Sequence, residues 1–355
     1  VRWDGQSVTT AGGDALPGLA LANLVRSVRT PEFAGVTFHE VLCRSALNKV
    51  PAASQMPFRW TVNAVRGCLH ACTYCFARPT HEYLDLGAGR DFETQLVVKT
   101  NVVDVLRAEL ARPSWRREHV AMGTNTDPYQ RVEGRYQFMP GIVDALVRHR
   151  TPLSILTKGT LLRRDLPLLA EAAREVRVGI GVSLAVVDPE LQAELEPGTP
   201  APRARLELIR AVRDAGLPCG VMVAPVLPWL TDGREHLDAL LRALADAGAT
   251  GVTVLPLHLR GSVKPLFLGW LARYRPDLVP RYQDLYGTGA YAPAAYGRWL
   301  HDRVTPLLQR HGFADPSGHR AGRGAAPGEG AYPVGSLPAP GPEVTVPGVA
   351  QPTLF

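Results

Sequence analysis

Three cysteines, Cys68, Cys72 and Cys75, fall in the stretch Gly-Cys-Leu-His-Ala-Cys-Thr-Tyr-Cys-Phe-Ala-Arg at positions 67–78. The spacing is C-x3-C-x2-C, with Tyr74 directly before the last cysteine. Three thiolates on one loop can hold three irons of a [4Fe-4S] cluster, which ordinarily takes four cysteines. One iron is then left open. An open coordination position separates a metal centre that binds a reactant from one that only holds structure. The alternative is a zinc site completed by His70, which would make the chain a non-catalytic, zinc-stabilised nucleic-acid-binding module. Zinc sites, however, ordinarily draw on two separated ligand pairs, and His70 lies between the first two cysteines. The remaining cysteines, Cys43 and Cys219, bring the total to five. That odd count suits a metal site in a reducing cytoplasm better than a disulfide framework.

The elements that must position this loop follow from periodicity. Between about 60 and 260, short apolar, β-branched runs alternate with longer helix-periodic stretches. Strands are expected at 60–66, 120–125, 153–157, 176–184, 220–226 and 251–257. Helices are expected at 102–110, 142–148, 206–216 and 237–247, with Gly216 as a C-cap and Pro218 beyond it. Strands that alternate with helices must pair in parallel, which gives an α/β fold of the partial (β/α)6, TIM-like barrel type or an open parallel sheet. The connection after the first strand is nearly twice as long as the others and carries the three cysteines. Active sites of such folds collect at the C-terminal ends of the strands, where this connection begins.

The expected organisation is an N-terminal extension (1–56), the catalytic barrel (57–260), a helical C-terminal extension (261–315) and a tail (316–355). Within the first, 16–28 reads as a helix and 38–45 as a short element. The tail is rich in Gly, Pro and Ala and is expected to be disordered. With 355 residues, 46% of them hydrophobic and 20% charged, disorder throughout is excluded. Neither a membrane span nor a secretory leader is legible, so a cytoplasmic protein without a membrane partner is expected. The net charge is +6 and nearly all of the basic excess is arginine, only Lys49, Lys99, Lys158 and Lys264 being lysine. Such a balance follows first from an arginine-rich genome composition and permits an anionic partner without demonstrating one.

The cysteine motif resembles that of the radical S-adenosylmethionine (radical SAM) enzymes, whose signature is C-x3-C-x-aromatic-C after the first strand of a partial barrel. Cys68, Cys72, Tyr74 and Cys75 match it position by position. The stretches 63–68, 76–83 and 126–130, with Glu196-Pro197-Gly198-Thr199-Pro200, Arg205 and 224–228, are similar to the spore-photolyase-like (DNA repair photolyase-like) branch. The resemblance implies a [4Fe-4S] cluster at the three cysteines whose open iron binds SAM. Reductive cleavage of SAM would then abstract a hydrogen atom from the substrate. It further implies that Tyr74 lies against the adenine and that Phe76 flanks the cluster loop. Thr126 and Asp127 would meet the methionyl or ribose groups, Lys158 would pair with the SAM carboxylate, and Ser183 would hydrogen-bond nearby. An electron donor such as flavodoxin or ferredoxin is implied as well.

One position departs from the branch. Spore photolyases return a hydrogen atom to the product from a cysteine near the end of the second strand, and here Thr124 occupies that place. A threonine O–H bond is much stronger than a thiol S–H bond, which argues against direct repair of the spore lesion; Cys219 and Tyr129 are the alternative donors. The last residues, with Gln351, Leu354 and Phe355, resemble the peptide by which bacterial repair proteins dock on the sliding clamp. A damaged or modified nucleic acid, in particular DNA, is therefore the expected substrate. Radical modification of a protein or small molecule is the alternative, because fold and cluster do not choose the substrate.

Overall fold

The structure, a computed structural model, describes residues 23–51, 54, 56–313 and 332–338. Its strands are β1 (Leu24–Val28), β2 (Thr37–Val41), β3 (Leu47–Lys49), β4 (Trp60–Val62), β5 (Val65–Arg66), β6 (Gln95–Lys99), β7 (Val120–Met122), β8 (Leu153–Thr157), β9 (Val178–Ser183), β10 (Cys219–Val226) and β11 (Gly251–Pro256). The larger sheet runs β11-β10-β9-β8-β7-β4-β3. Its six strands from β4 to β11 pair in parallel and in chain order, and β3 is antiparallel to β4 at one edge. β11 forms the other edge, so the barrel is partial and open.

Helices at Phe138–Arg148, Leu166–Glu175, Pro202–Asp214 and Arg234–Asp246 follow β7, β8, β9 and β10. They bury apolar faces such as Ile142, Leu146, Leu169, Leu208, Val212, Leu240 and Leu244 in the same core as Ile155, Ile180, Val182 and Val221 of the strands. This division explains the pattern of the sequence. One face of each strand is apolar toward the helices, and the other is free to carry small and polar groups into the lumen. Three helices begin earlier than periodicity suggests, Arg234–Asp246 by three residues and the other two by four. Of these two, Pro202 supplies one with a favourable first turn, and the Glu133 carboxylate accepts the N–H groups of Phe138 and Met139, each at 3.0 Å, at the start of the other.

Three expectations are corrected. The run 60–66 is two strands in two sheets: β4 pairs with β7, but the Lys99 N–H bonds Ala64 O at 3.0 Å and draws β5 to β6 in a second sheet, β1-β2-β6-β5. Within 16–28, residues 24–28 form a strand antiparallel to β2 rather than a helix, and 16–22 lie outside the described residues. Within the tail expected to be disordered, residues 332–338 lie against the larger sheet, with Tyr332 and Ser336 buried. Among the described residues no helix is long and apolar enough to cross a membrane.

Candidate active site

The connection from β4 to β7 places the three cysteines on one loop after β5. Its entry is fixed by Gly67 at φ +88°, where a Cβ would lie 2.7 Å from Phe92 O, while the Cys68 N–H bonds that same carbonyl at 3.0 Å. Arg78, also buried, holds the loop from inside. Its guanidinium donates to the carbonyls of Cys72 (2.9 Å), Ala71 (2.9 Å) and Gly89 (2.8 Å) and pairs with Glu93 at 2.8 Å. The turn at 195–198 braces the other side. The Thr73 N–H bonds Leu195 O, the Gly198 N–H bonds His70 O, and a Cβ on Gly198 would sit 1.8 Å from Leu69 O. Backbone this close can only pass a glycine.

Thr126 and Asp127 fasten the loop to the end of β7. The Thr126 hydroxyl donates to Gly67 O at 2.6 Å and accepts from Gln130, whose side chain also takes the Leu69 N–H at 2.8 Å. Asp127 accepts from the Thr157 hydroxyl and the Lys158 N–H at the end of β8, and from the Tyr129 N–H. His70 Nδ1 lies 3.3 Å from Asp127 Oδ2. Burial opposes the charge of that ring, but Asp127 and Cys68 outweigh it and push His70 up to about 10. Both Thr126 and Asp127 are thus engaged with protein groups. They position the loop and the start of the turn that carries Lys158.

Tyr74, Lys158 and Ser183 come together around a group that sequence reasoning gave no role. Glu196 is 1% exposed; it accepts the Tyr74 hydroxyl, pairs with Arg205 at 2.7 Å and lies 3.8 Å from Lys158 Nζ. Lys158 Nζ bonds Ser183 Oγ at 2.8 Å and stands 5.8 Å from the centre of the Tyr74 ring. Burial alone would raise Glu196, yet Arg205 and Lys158 hold it below the usual carboxylate range. Burial disfavours the Lys158 charge, but Glu196 and Cys72 keep it above the ordinary lysine value. A cation is therefore fixed at the C-terminal ends of β8 and β9, close to Cys72.

The donor set suits an iron–sulfur cluster. Cys68 and Cys72 are buried and Cys75 is half-buried. Burial pushes the Cys72 and Cys75 thiols up, and the neighbouring cysteines add to the shift. Buried thiols of this kind ionise when bound cations supply the compensating charge, and Lys158 offsets part of the negative charge that thiolates bring. Phe76, one residue past Cys75, is 47% exposed. Its ring centre is 6.0 Å from that of His258, which stacks at 5.8 Å on Tyr291, itself covered by the Arg260 guanidinium at 5.1 Å.

Both alternative hydrogen donors are corrected. Tyr129 is 1% exposed, with its hydroxyl near Asp165 and Glu133 in the core. Cys219 opens β10 at the opposite end of the sheet from the cysteine loop, buried, with its thiol pushed up to about 12 by burial. Thr124 lies just past β7, with its hydroxyl buried. Gln351, Leu354 and Phe355 lie outside the described residues.

Known proteins are similar in sequence and in fold. Residues 62–244, somewhat more than half of the chain, match the radical SAM superfamily. An uncharacterized protein of Mycobacterium tuberculosis is 64% identical over 318 residues, 88% of this chain and 94% of its own. An uncharacterized protein of Acidianus two-tailed virus is 29% identical over 209 residues, 57% of this chain and 68% of its own. Among solved structures, spore photoproduct lyase complexed with dinucleoside spore photoproduct superposes with a TM-score of 0.57 at 16% identity, covering 78% of this chain and 79% of that one. A variant of that lyase with bound AdoMet and dinucleoside spore photoproduct gives 0.57 at 15% identity, with the same coverage. The non-catalytic zinc module is thereby replaced: with its three-cysteine loop at the head of a partial barrel, the chain is an enzyme that belongs to the radical SAM superfamily.

Proposed function

We propose that the chain holds a [4Fe-4S] cluster on Cys68, Cys72 and Cys75, cleaves SAM reductively, and removes a hydrogen atom from a base of a damaged or modified nucleic acid. A cluster held there would supply the electron for cleaving the SAM sulfonium into methionine and a 5′-deoxyadenosyl radical. The protein's part is to bind, orient and shield. In this reading Lys158, fixed by Ser183 and Glu196, neutralises the carboxylate of SAM. Tyr74, tied down through its hydroxyl, offers a ring face to the adenine, and Phe76 flanks the cluster loop. Thr126 and Asp127 keep the loop and the Lys158 turn in one frame.

The observation that carries the choice of substrate is the row of rings leading away from Cys75, Phe76 to His258 to Tyr291, with Arg260 over its end. Stacked rings beside arginine take unpaired bases, since every base offers a π-face and every nucleotide a phosphate. The fold shared with a lyase solved with a dinucleoside photoproduct supports the same class. The proposal extends to a flavodoxin or ferredoxin as electron donor, to the peptide ending in Gln351, Leu354 and Phe355 as a sliding-clamp address, and to a cytoplasmic setting.

The test is deuterium transfer. Anaerobically reconstituted protein is incubated with SAM, a reductant and base-deuterated DNA, beginning with ultraviolet-damaged single strands. Deuterium in 5′-deoxyadenosine is the expected result. SAM cleavage that takes deuterium from no nucleic acid, but does so from a labelled peptide or small molecule, would move the substrate to that class.

A further inference from the structure

Gly181 of β9, Gly220 of β10 and Gly251 of β11 are register partners, forming one row across three strands. Side chains alternate along a strand, so this row shares its face with Ser183, two residues further along β9, which bonds Lys158. Ser183, Met222 and Thr253, again register partners, make the row directly above. Gly179 lies one step below Gly181. At all four glycines a Cβ would strike the same distant segment. Tyr332 Cδ1 is 2.5 Å and Ser336 Oγ 2.8 Å from the Gly179 position, Pro333 Cγ is 2.9 Å from that of Gly181, and Val334 O is 2.4 Å from that of Gly220 and 2.6 Å from that of Gly251.

The segment is held by more than shape. The Thr250 hydroxyl donates to Gly335 O at 2.6 Å. Gly335 is at φ +75°, and a Cβ there would be 2.4 Å from Gly251 N. The Tyr332 ring lies 4.4 Å from that of His119 and 5.0 Å from the Arg177 guanidinium. Interiors of (β/α) barrels are ordinarily filled by layers of strand side chains. Here one layer is missing on three strands, and chain from the far C-terminal side occupies its place.

We propose that residues 332–336 are the floor of the active site, closing the lumen beneath the row that holds Ser183 and Lys158. The role assigned to Lys158 rests on the proposed function; the closure does not. A floor at this level excludes water from below the part-buried Lys158 and the buried Ser183 and Glu196, where a low dielectric strengthens the pairing.

The test uses the full chain with a specific protease site inserted after Gly324, and the same chain carrying Gly335→Val or Tyr332→Ala. Both substitutions lie outside the sheet and its helices. After cleavage, the wild-type fragment should co-elute with the body of the protein on gel filtration. Gly335→Val should release it, and Tyr332→Ala should weaken its retention. In uncut Gly335→Val, amide hydrogen exchange should rise at least about tenfold through β9 to β11, in the Ser183, Met222 and Thr253 row as well as in the glycine row. Release of the fragment from the wild type would overturn the proposal, as would exchange that rises only at the glycine row. Neither readout needs cofactor, so failure of the radical chemistry would leave this result standing.

Discussion

Glu196 stands at the centre of the site's electrostatics although no metal or cofactor chemistry is assigned to it. It faces Arg205, which is 0% exposed, and also Lys158 and Tyr74. Removing one partner of a buried ion pair strands the other, at a cost of about 3–5 kcal/mol. Glu196→Gln should therefore lower the free energy of unfolding in urea by about that amount and weaken SAM binding, because Lys158 loses its anchor. A loss below about 1 kcal/mol would show that the group is not coupled as the geometry indicates. The three cysteines were legible as a group because their C-x3-C-x2-C spacing gathers them on one loop. Glu196 was not, since its partner Tyr74 is 122 residues away and nothing local marks a carboxylate whose cations arrive from a strand end and a following helix. The resemblance marked the stretch from Glu196 to Pro200 and Arg205 without giving the carboxylate a role, and the glycine of its Pro197-Gly198 turn lets the cysteine loop approach. The resemblance marked Thr126 and Asp127 as SAM contacts, and in the structure their bonds to Gly67, Gln130, Thr157 and Lys158 show what the motif fastens together.

At the scale of elements, β8 coincides with its expected limits, 153–157, because a short apolar run between Pro152 and a glycine turn admits few readings. The run 60–66 did not resolve in sequence: both pieces are β-formers, and only the competing bond from Lys99 to Ala64 O decides that the chain changes sheets. β6 offers a test in its own right. Lys99 is 7% exposed, and burial, aided by Arg66, lowers it to about 8 from 10.5, against the opposing pull of Cys43 and Glu109. Because the folded chain gives up this proton more readily than the unfolded one, its penalty is largest below about 8 and fades as pH rises toward 10.5. The depression corresponds to about 3 kcal/mol. Lys99→Met should raise stability near neutral pH by up to that amount and flatten the gain in stability that the wild type shows between these two values; equal stability at all pH values would remove the argument. The braced loop gives a second prediction. Gly198→Ala, with its Cβ 1.8 Å from Leu69 O, should displace the cysteine loop. Reconstituted protein should retain less than about half the iron of wild type while the sheet's melting temperature falls by a few degrees. Full iron loading would show that the 195–198 turn does not position the loop.

For the whole molecule, the strand–helix repeat was enough to give parallel pairing, since each crossover must carry the chain back across the sheet, whereas the sequential order of the strands is set only by the fold. The row of three glycines and its occupant were not legible, because a strand glycine reads equally as a weak strand, a bulge or a close approach. Charge also acquires a location only in the fold. The sequence carries +6, and in the structure Arg260 covers Tyr291, which is 55% exposed, at the outer end of the ring row. If nucleic acid enters there, the affinity for a single-stranded oligonucleotide falls with salt, with a log–log slope of about −0.7 per phosphate contacted. Arg260→Gln should reduce the magnitude of that slope by about 0.7. Tyr291→Ala should weaken binding at fixed salt by roughly 5- to 150-fold and leave the slope unchanged, because stacking releases no counterions. The two variants therefore separate phosphate recognition from base recognition on a single titration series. Unchanged slope in the first together with unchanged affinity in the second would take nucleic acid away from this mouth and return the substrate to a peptide or small molecule.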